Sequence, residues 1–304
     1  MASLRDIKRR IKSVKNTRQI TKAMKMVSAA KLKKAQDDIT AARPYAEKML
    51  DFVNSLASKT TGAPHPLMSS REEVKNAGVL LLTSDRGLCG GFNTAMLRAA
   101  ESFLRGHKGP NVSLSLIGKR GIEYFKRREI SVINSRPAGS GRPNYAAAAA
   151  SAQEMIRLFI SGELDEVYVI YSEFKSVINQ KPVVRKLLPI TSAAPEKTGE
   201  GVTPREGEEA FKGPSAESEI PVIYEPSVDA VLSELLPKYI EIQLFRAMLE
   251  SSASEHGARM TSMDSASKNA SEMIGALTLK YNRVRQAAIT KELMEIIGGA
   301  EALK

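Results

Sequence analysis

Apolar side chains recur every three or four residues from the start of the chain: Leu4, Ile7, Ile11 and Val14. After a polar break at residues 16–19 the stripe resumes at Ile20, Met24 and Val27. A third stretch, Ala35, Ile39, Ala42, Ala46, Met49, Val53 and Leu56, keeps heptad spacing. The pattern predicts one long helix from about Ser3 to Ser58. Pro44 is expected to bend it, because proline removes a backbone hydrogen bond and crowds the preceding turn.

The other end repeats the pattern more strongly. From Leu232 the same spacing selects Leu235, Tyr239, Ile242, Arg246, Leu249, Ala253, His256, Met260, Met263, Ser267, Ala270, Ile274, Leu277, Tyr281, Val284 and Ala288. No proline follows Pro237, and Gly298–Gly299 supply an expected stop. A helix of roughly 70 residues at 1.5 Å each is on the order of 100 Å long, more than a compact domain encloses. Two such helices with narrow seams predict an antiparallel coiled coil standing out of a globular body. Setting Leu56 against Leu232 fixes a register in which Leu4 faces Val284. Ile289, Leu293, Ile296 and Ile297 then lie beyond anything the first helix offers.

The middle of the chain alternates. Strand-like runs at Val79–Thr83, Val112–Ile117, Ile130–Ile133, Glu166–Tyr171 and Val183–Ile190 are interleaved with helical stretches at Asn93–Arg105, Lys119–Arg128 and Tyr145–Ser161. That order predicts an α/β body of Rossmann-like, doubly wound type with a mostly parallel sheet. Residues 191–219 are rich in Pro, Gly, Glu, Thr and Ser and read as a flexible loop. The expected organisation is an N-terminal shaft helix (1–60), the body (61–190), a loop (191–222) and a C-terminal shaft helix (223–304).

Charge changes the picture at one end only. Residues 1–34 carry twelve Lys/Arg and a single acid, Asp6, so their excess of +11 equals that of the whole chain. Such a helix fits either a nucleic acid or an acidic protein surface. No aromatic residues interleave the basic ones, and no helix-turn-helix or finger pattern is present. The run "LLLTSDRGLCGGFN" (Leu80–Asn93) joins a strand to a glycine turn, yet it lacks both the lysine of a P-loop and the spacing of a dinucleotide fingerprint. It reads as a structural turn with Asn93 or Thr94 capping the next helix. Cys89, the only cysteine, has no histidine within that stretch and reads as a structural thiol. His65, His107 and His256 are scattered without metal-ligand spacing. The sequence shows neither a membrane-spanning run nor the apolar core of a secretory signal.

Four segments together resemble one family: "IKRRIKSVKNTRQITKAMKMVSAAKLKKAQ", "TSDRGLCGGFN", "YEPS", and the run from Glu250 beginning "ESSASEHGARMTSMDSASKNASEMIGALTLKYNRVRQAAITKELMEIIGG". They are similar to the gamma subunit of the F-type (F1Fo) ATP synthase in its bacterial form, in the family's order. The resemblance implies a central-stalk rotor that is not itself an enzyme, with no catalytic residue, cofactor or metal. Its implied partners are three alpha and three beta subunits, the epsilon subunit and the c ring, at the cytoplasmic face of the cell membrane; nucleic acid is not among them. Matched position by position, Met24 and Lys25 correspond to a collar facing an acidic loop of beta, and Glu255 and Arg259 to the neighbouring collar. Arg285, Gln286 and Thr290 match positions that engage a catch loop, and Tyr224 and Glu225 match the foot near the c ring. Light-regulated plant relatives carry a cysteine pair in the body; with Cys89 alone, thiol gating is not expected.

Overall fold

The computed structural model describes residues 3–59, 65–71, 73–106, 111–128, 130–139, 141–190, 225 and 227–301. The expected loop at 191–222 and Tyr224 therefore lie outside the described residues. The elements run α1 (Leu4–Lys59), β1 (Asn76–Leu82), α2 (Phe92–Gly106), β2 (Asn111–Ile117), α3 (Lys119–Phe125), β3 (Val132–Arg136), α4 (Tyr145–Ser161), β4 (Glu166–Phe174), β5 (Gln180–Leu188) and α5 (Val228–Glu301). Both long helices run through their prolines, Pro44 and Pro237. Helix α5 also runs through Gly298–Gly299 to Glu301 rather than stopping there. A glycine in a helix costs only about 1 kcal/mol, which lowers helicity without forbidding it.

The chain divides into two compact units, Met1–Ala29 with Arg259–Lys304, and Ala30–Ala258. In the first, the covered positions of α5 follow the expected seam: Met263 and Ala270 are buried, and Ile274, Leu277, Tyr281, Val284 and Ala288 are half-buried. Along α1 the outcome differs. Ile20 and Val27 are 60% and 56% exposed, whereas Thr21 and Ser28 are buried. Continuing the spacing of Leu4, Ile7, Ile11 and Val14 without a break leads through Arg18 to Thr21, Lys25 and Ser28, so the polar segment belongs to the seam. Thr21 tolerates this position because its hydroxyl donates to its own helix, at the Arg18 carbonyl (3.1 Å). The two helices meet where Lys25 Nζ contacts Asp264 Oδ1 at 2.5 Å. The register inferred from Leu56 and Leu232 sets Lys25 opposite Met263, one residue away.

The second unit is built on a five-stranded sheet in the order β3-β2-β1-β4-β5. Strands β1 to β4 pair in parallel and β5 pairs antiparallel to β4. Alternation along β1 sends successive side chains to opposite faces. Leu80 and Leu82 join a core with Val53 and Leu56 of α1, Met155 and Phe159 of α4, and Leu232, Leu236, Ile240 and Leu244 of α5. Val79 and Leu81 join the other core with Met96 of α2 and Phe125 of α3. Strand β3 begins two residues later than expected at Ile130, because Ile130 closes a turn, its N–H donating to the Arg128 carbonyl.

Helix α5 is not a narrow-seamed shaft helix throughout. Between Ile240 and Ala258 it presents no fully exposed position, and Glu241, Ile242, Leu244, Ala247, Met248, Leu249 and Glu250 are all buried. Such all-round burial marks a core helix. Ser254 donates its hydroxyl to the Ser172 carbonyl of β4 (3.1 Å), which brings this stretch of helix directly against the sheet.

Candidate functional site

The glycine turn after β1 closes on itself. The Asn93 side chain does not cap α2, whose first residue is Phe92. Its Oδ1 instead accepts from the Ser84 N–H (3.0 Å), and its Nδ2 donates to Cys89 Sγ (3.2 Å). Cys89 is buried in this arrangement. Thiol reagents are therefore expected to label the native chain far more slowly than the urea-unfolded chain; equal labelling rates would contradict the burial. Leu88 holds a left-handed φ of 61° at the tip of the turn, a conformation uncommon outside glycine.

The ends of β1, β2 and β3 are tied by one side chain. The Asp85 carboxylate accepts backbone N–H groups from Lys119, Ala138 and Gly139, each at 2.9 Å. In open α/β sheets this rim is where an anionic ligand meets backbone donors. Here the chain's own carboxylate takes those donors. Thr83 adds a second tie, its Oγ1 accepting from the Gly121 N–H (3.0 Å). Among the described residues no group of three or more His, Cys, Asp or Glu side chains has metal-binding geometry. His256 and His65 lie far apart in sequence, and His107 lies outside the described residues.

The positions assigned by resemblance are spread along the long helices. Met24 and Lys25 are half-buried on α1. Lys25 spends its charge on Asp264, which Lys268 also contacts at 3.1 Å; together the two ammonium groups hold that carboxyl below its usual range. Arg259 is buried and Glu255 half-buried on α5. Arg285, Gln286 and Thr290 are exposed, and the Thr290 hydroxyl donates to the Gln286 carbonyl (2.9 Å). Glu225 is exposed. The structure brings Lys25 to Asp264, a partner the sequence reading did not single out. An acid on α5 facing a seam lysine is the signal that would have found it.

Beyond Ala288 the helix changes character. Ile289, Leu293, Met294, Ile296 and Ile297 are 49–73% exposed. Each forgoes roughly half or more of the about 1.5–3 kcal/mol that full burial contributes. No described helix is long and apolar enough to cross a membrane.

The comparisons with known proteins agree with one another. A sequence model of the family described as ATP synthase matches residues 3–303. The ATP synthase gamma chain of Trichlorobacter lovleyi is 51% identical over 306 residues, covering all of both chains. That of Geobacter metallireducens is 51% identical over 307 residues, again covering both completely. Among solved structures, a chain of the Tetrahymena thermophila mitochondrial ATP synthase central stalk and c ring aligns with a TM-score of 0.58 at 25% identity, over 82% of this chain and 99% of that one. A chain of the Euglena gracilis mitochondrial ATP synthase shares the fold, with a TM-score of 0.64 at 18% identity over 99% of this chain and 94% of that one.

Proposed function

The chain belongs to the ATP synthase gamma-chain family, and we propose that it works as the central-stalk rotor of a bacterial, proton-translocating ATP synthase. In this reading the c ring turns the shaft, and the asymmetric shaft drives the three beta sites through different nucleotide affinities. The chain supplies no catalytic group of its own, and Asp85 closing the strand ends suits a body that transmits force instead of holding nucleotide. Its partners are the alpha and beta subunits, the epsilon subunit and the c ring, and it lies peripherally at the cytoplasmic face of the membrane.

The observation that carries the reading is the apolar tip of α5. A lone helix end exposing five large apolar side chains invites aggregation unless another surface covers it. An apolar sleeve at the top of an alpha–beta ring would do so while leaving the tip free to turn. Within the same reading, Met24 and Lys25 form a collar facing an acidic loop of beta, and Glu255 and Arg259 belong to the neighbouring collar. Arg285, Gln286 and Thr290 engage a catch loop, and Tyr224 and Glu225 stand at the foot. Exposed ion pairs at such a collar are each worth about 1 kcal/mol or less, weak enough for a sliding contact.

Truncation after Ile289 tests this. The purified chain is expected to keep its unfolding midpoint, since the deleted side chains are not part of its cores. In the assembled complex, ATP-driven proton pumping in membrane vesicles should fall several-fold. An isolated truncated chain that no longer folds would make the tip part of its own core and remove the case for a sleeve around it.

A further inference from the structure

Helix α5 buries two glutamates nine residues apart, and they are served very differently. Glu241 is 1% exposed and fully supplied: Tyr145 Oη donates at 2.6 Å, Gln153 Nε2 at 2.8 Å and Lys238 Nζ approaches at 3.4 Å. Glu250 is 6% exposed. Among the described residues its Oε1 receives only the Arg246 Nε–H, at 3.0 Å, and no donor reaches its buried Oε2. A buried carboxylate oxygen without a donor forfeits its hydration and gains nothing in return.

The charges around Glu250 do not repair this. On α5 itself stand Arg246 and, within the same electrostatic neighbourhood, Tyr239. From β4 come Tyr171 and Glu173, and from β5 comes Arg185. Arg185 is shared: its guanidinium lies 3.7 Å from Glu173 Oε1, which Lys175 also approaches at 3.7 Å. Glu173 thus competes with Glu250 for a cation and adds a like charge beside it. Proton binding to Glu250 removes the charge borne by the unserved oxygen while weakening the ion pair with Arg246, and ionisation restores both.

We propose that Glu250 is a proton-operated latch at the seat of α5 on the β4–β5 hairpin, closed when the carboxyl is protonated and loosened when it ionises. The seat is held by Ser254 on the Ser172 carbonyl and by the close approach of Gly257 to Phe174 and Gln180. Burial pushes the Glu250 carboxyl above the ordinary 4.5, with Glu173 adding to it and Arg246 and Arg185 only partly opposing. Folding therefore raises the proton affinity of this group. Its contribution to stability is full below the unfolded value and is lost as pH rises through the folded one. Glu241 has the opposite sign, so the two glutamates do not mask each other.

The test uses the full chain, labelled with 13C at glutamate side-chain carboxyls and titrated from about pH 4 to pH 9, the range in which shifted carboxyls titrate. Loss of one resonance in Glu250→Gln assigns the group, or the same loss in Glu250→Asp should the glutamine variant not fold. The expected result is a midpoint displaced upward from every exposed glutamate. Alongside it, amide exchange across Gln180–Leu188 should accelerate relative to β1 as pH rises through that midpoint. In Glu250→Gln, whose amide bears no charge, that relative acceleration should disappear. A midpoint at or below the ordinary range, which a buried water satisfying Oε2 would produce, overturns the proposal. So does a shifted midpoint with hairpin exchange that ignores it.

Discussion

Gly118→Ala is expected to destabilise the α/β body severely. Gly118 sits between β2 and α3 with φ at 108°, a backbone region that side chains rarely adopt. A Cβ there would lie 2.1 Å from the Thr83 carbonyl oxygen and 2.6 Å from its carbon. Both are backbone atoms at the end of the central strand, and the Thr83 N–H is itself engaged by the Ile117 carbonyl at 2.8 Å, so neither side can retreat. Backbone strain combined with displacement of a central strand is expected to cost about 4 kcal/mol or more, a large share of the roughly 5–15 kcal/mol that holds a domain together. Gly139→Ala is the control: its φ is 88°, but nothing lies within 4 Å of the added carbon. It should cost about 1–2 kcal/mol from backbone strain alone. Urea unfolding followed by circular dichroism separates the two; equal losses would mean that contact with Thr83 is not what fixes the glycine.

Glu241→Ala is expected to destabilise the packing of α4 on α5 by about 1.5–3 kcal/mol, as losing hydrogen bonds to a buried charged group does. Tyr145 and Gln153 are themselves exposed, so both lose a bond to the buried carboxylate and turn to water. Burial alone would push the Glu241 carboxyl up, but donation from Tyr145 and Gln153, with Lys238 beside them, outweighs it and holds the group below 4.5. The network's stabilisation is therefore present above the unfolded value and is lost as pH falls through the folded one. Tyr145 bounds it on the other side: burial first, then the bond to Glu241, pushes its phenol up to about 12. A raised tyrosine contributes stability present below the unfolded value of 10 and lost as pH rises through about 12. Ultraviolet titration of tyrosinate in Glu241→Ala should show one phenol moving to lower pH. No such movement would show that the carboxylate does not govern Tyr145.

Periodicity made the long helices and the alternating body legible, because each burial pattern repeats over many residues. Helix α4 begins at Tyr145 and ends at Ser161 as expected, fixed by an Asn144 side chain that accepts the Ala146 N–H and by Gly162 in a left-handed conformation. Along α1 hydrophobicity points to Ile20 and Val27, whereas the spacing points to Thr21 and Ser28, which are the buried positions. Small hydroxyls at Thr21 and Ser28 are buried when they satisfy themselves locally, and that leaves no apolar trace. Asn93 was read as a cap from its place before a helix, whereas its amide bonds back to Ser84 and Cys89. The ties made by Asp85, Glu241 and Lys25 each join residues far apart in the chain. A lone acid or base in one sequence carries no mark of the partner it meets after folding.

The core beneath the sheet also constrains the order in which the protein can be made. Leu80, Leu82, Val167 and Val169 on that face are covered partly by Val53 and Leu56, which leave the ribosome before the strands. Met155 and Phe159 of α4 add to that cover before β4 is made, whereas Leu232, Leu236, Ile240 and Leu244 are synthesised after all five strands. At roughly 5–20 residues per second, the finished sheet waits several seconds with part of that face uncovered while the chain reaches α5. During that interval the uncovered part of the face and the edge of β5 are open to other chains, so the nascent body is a natural client for a holding chaperone.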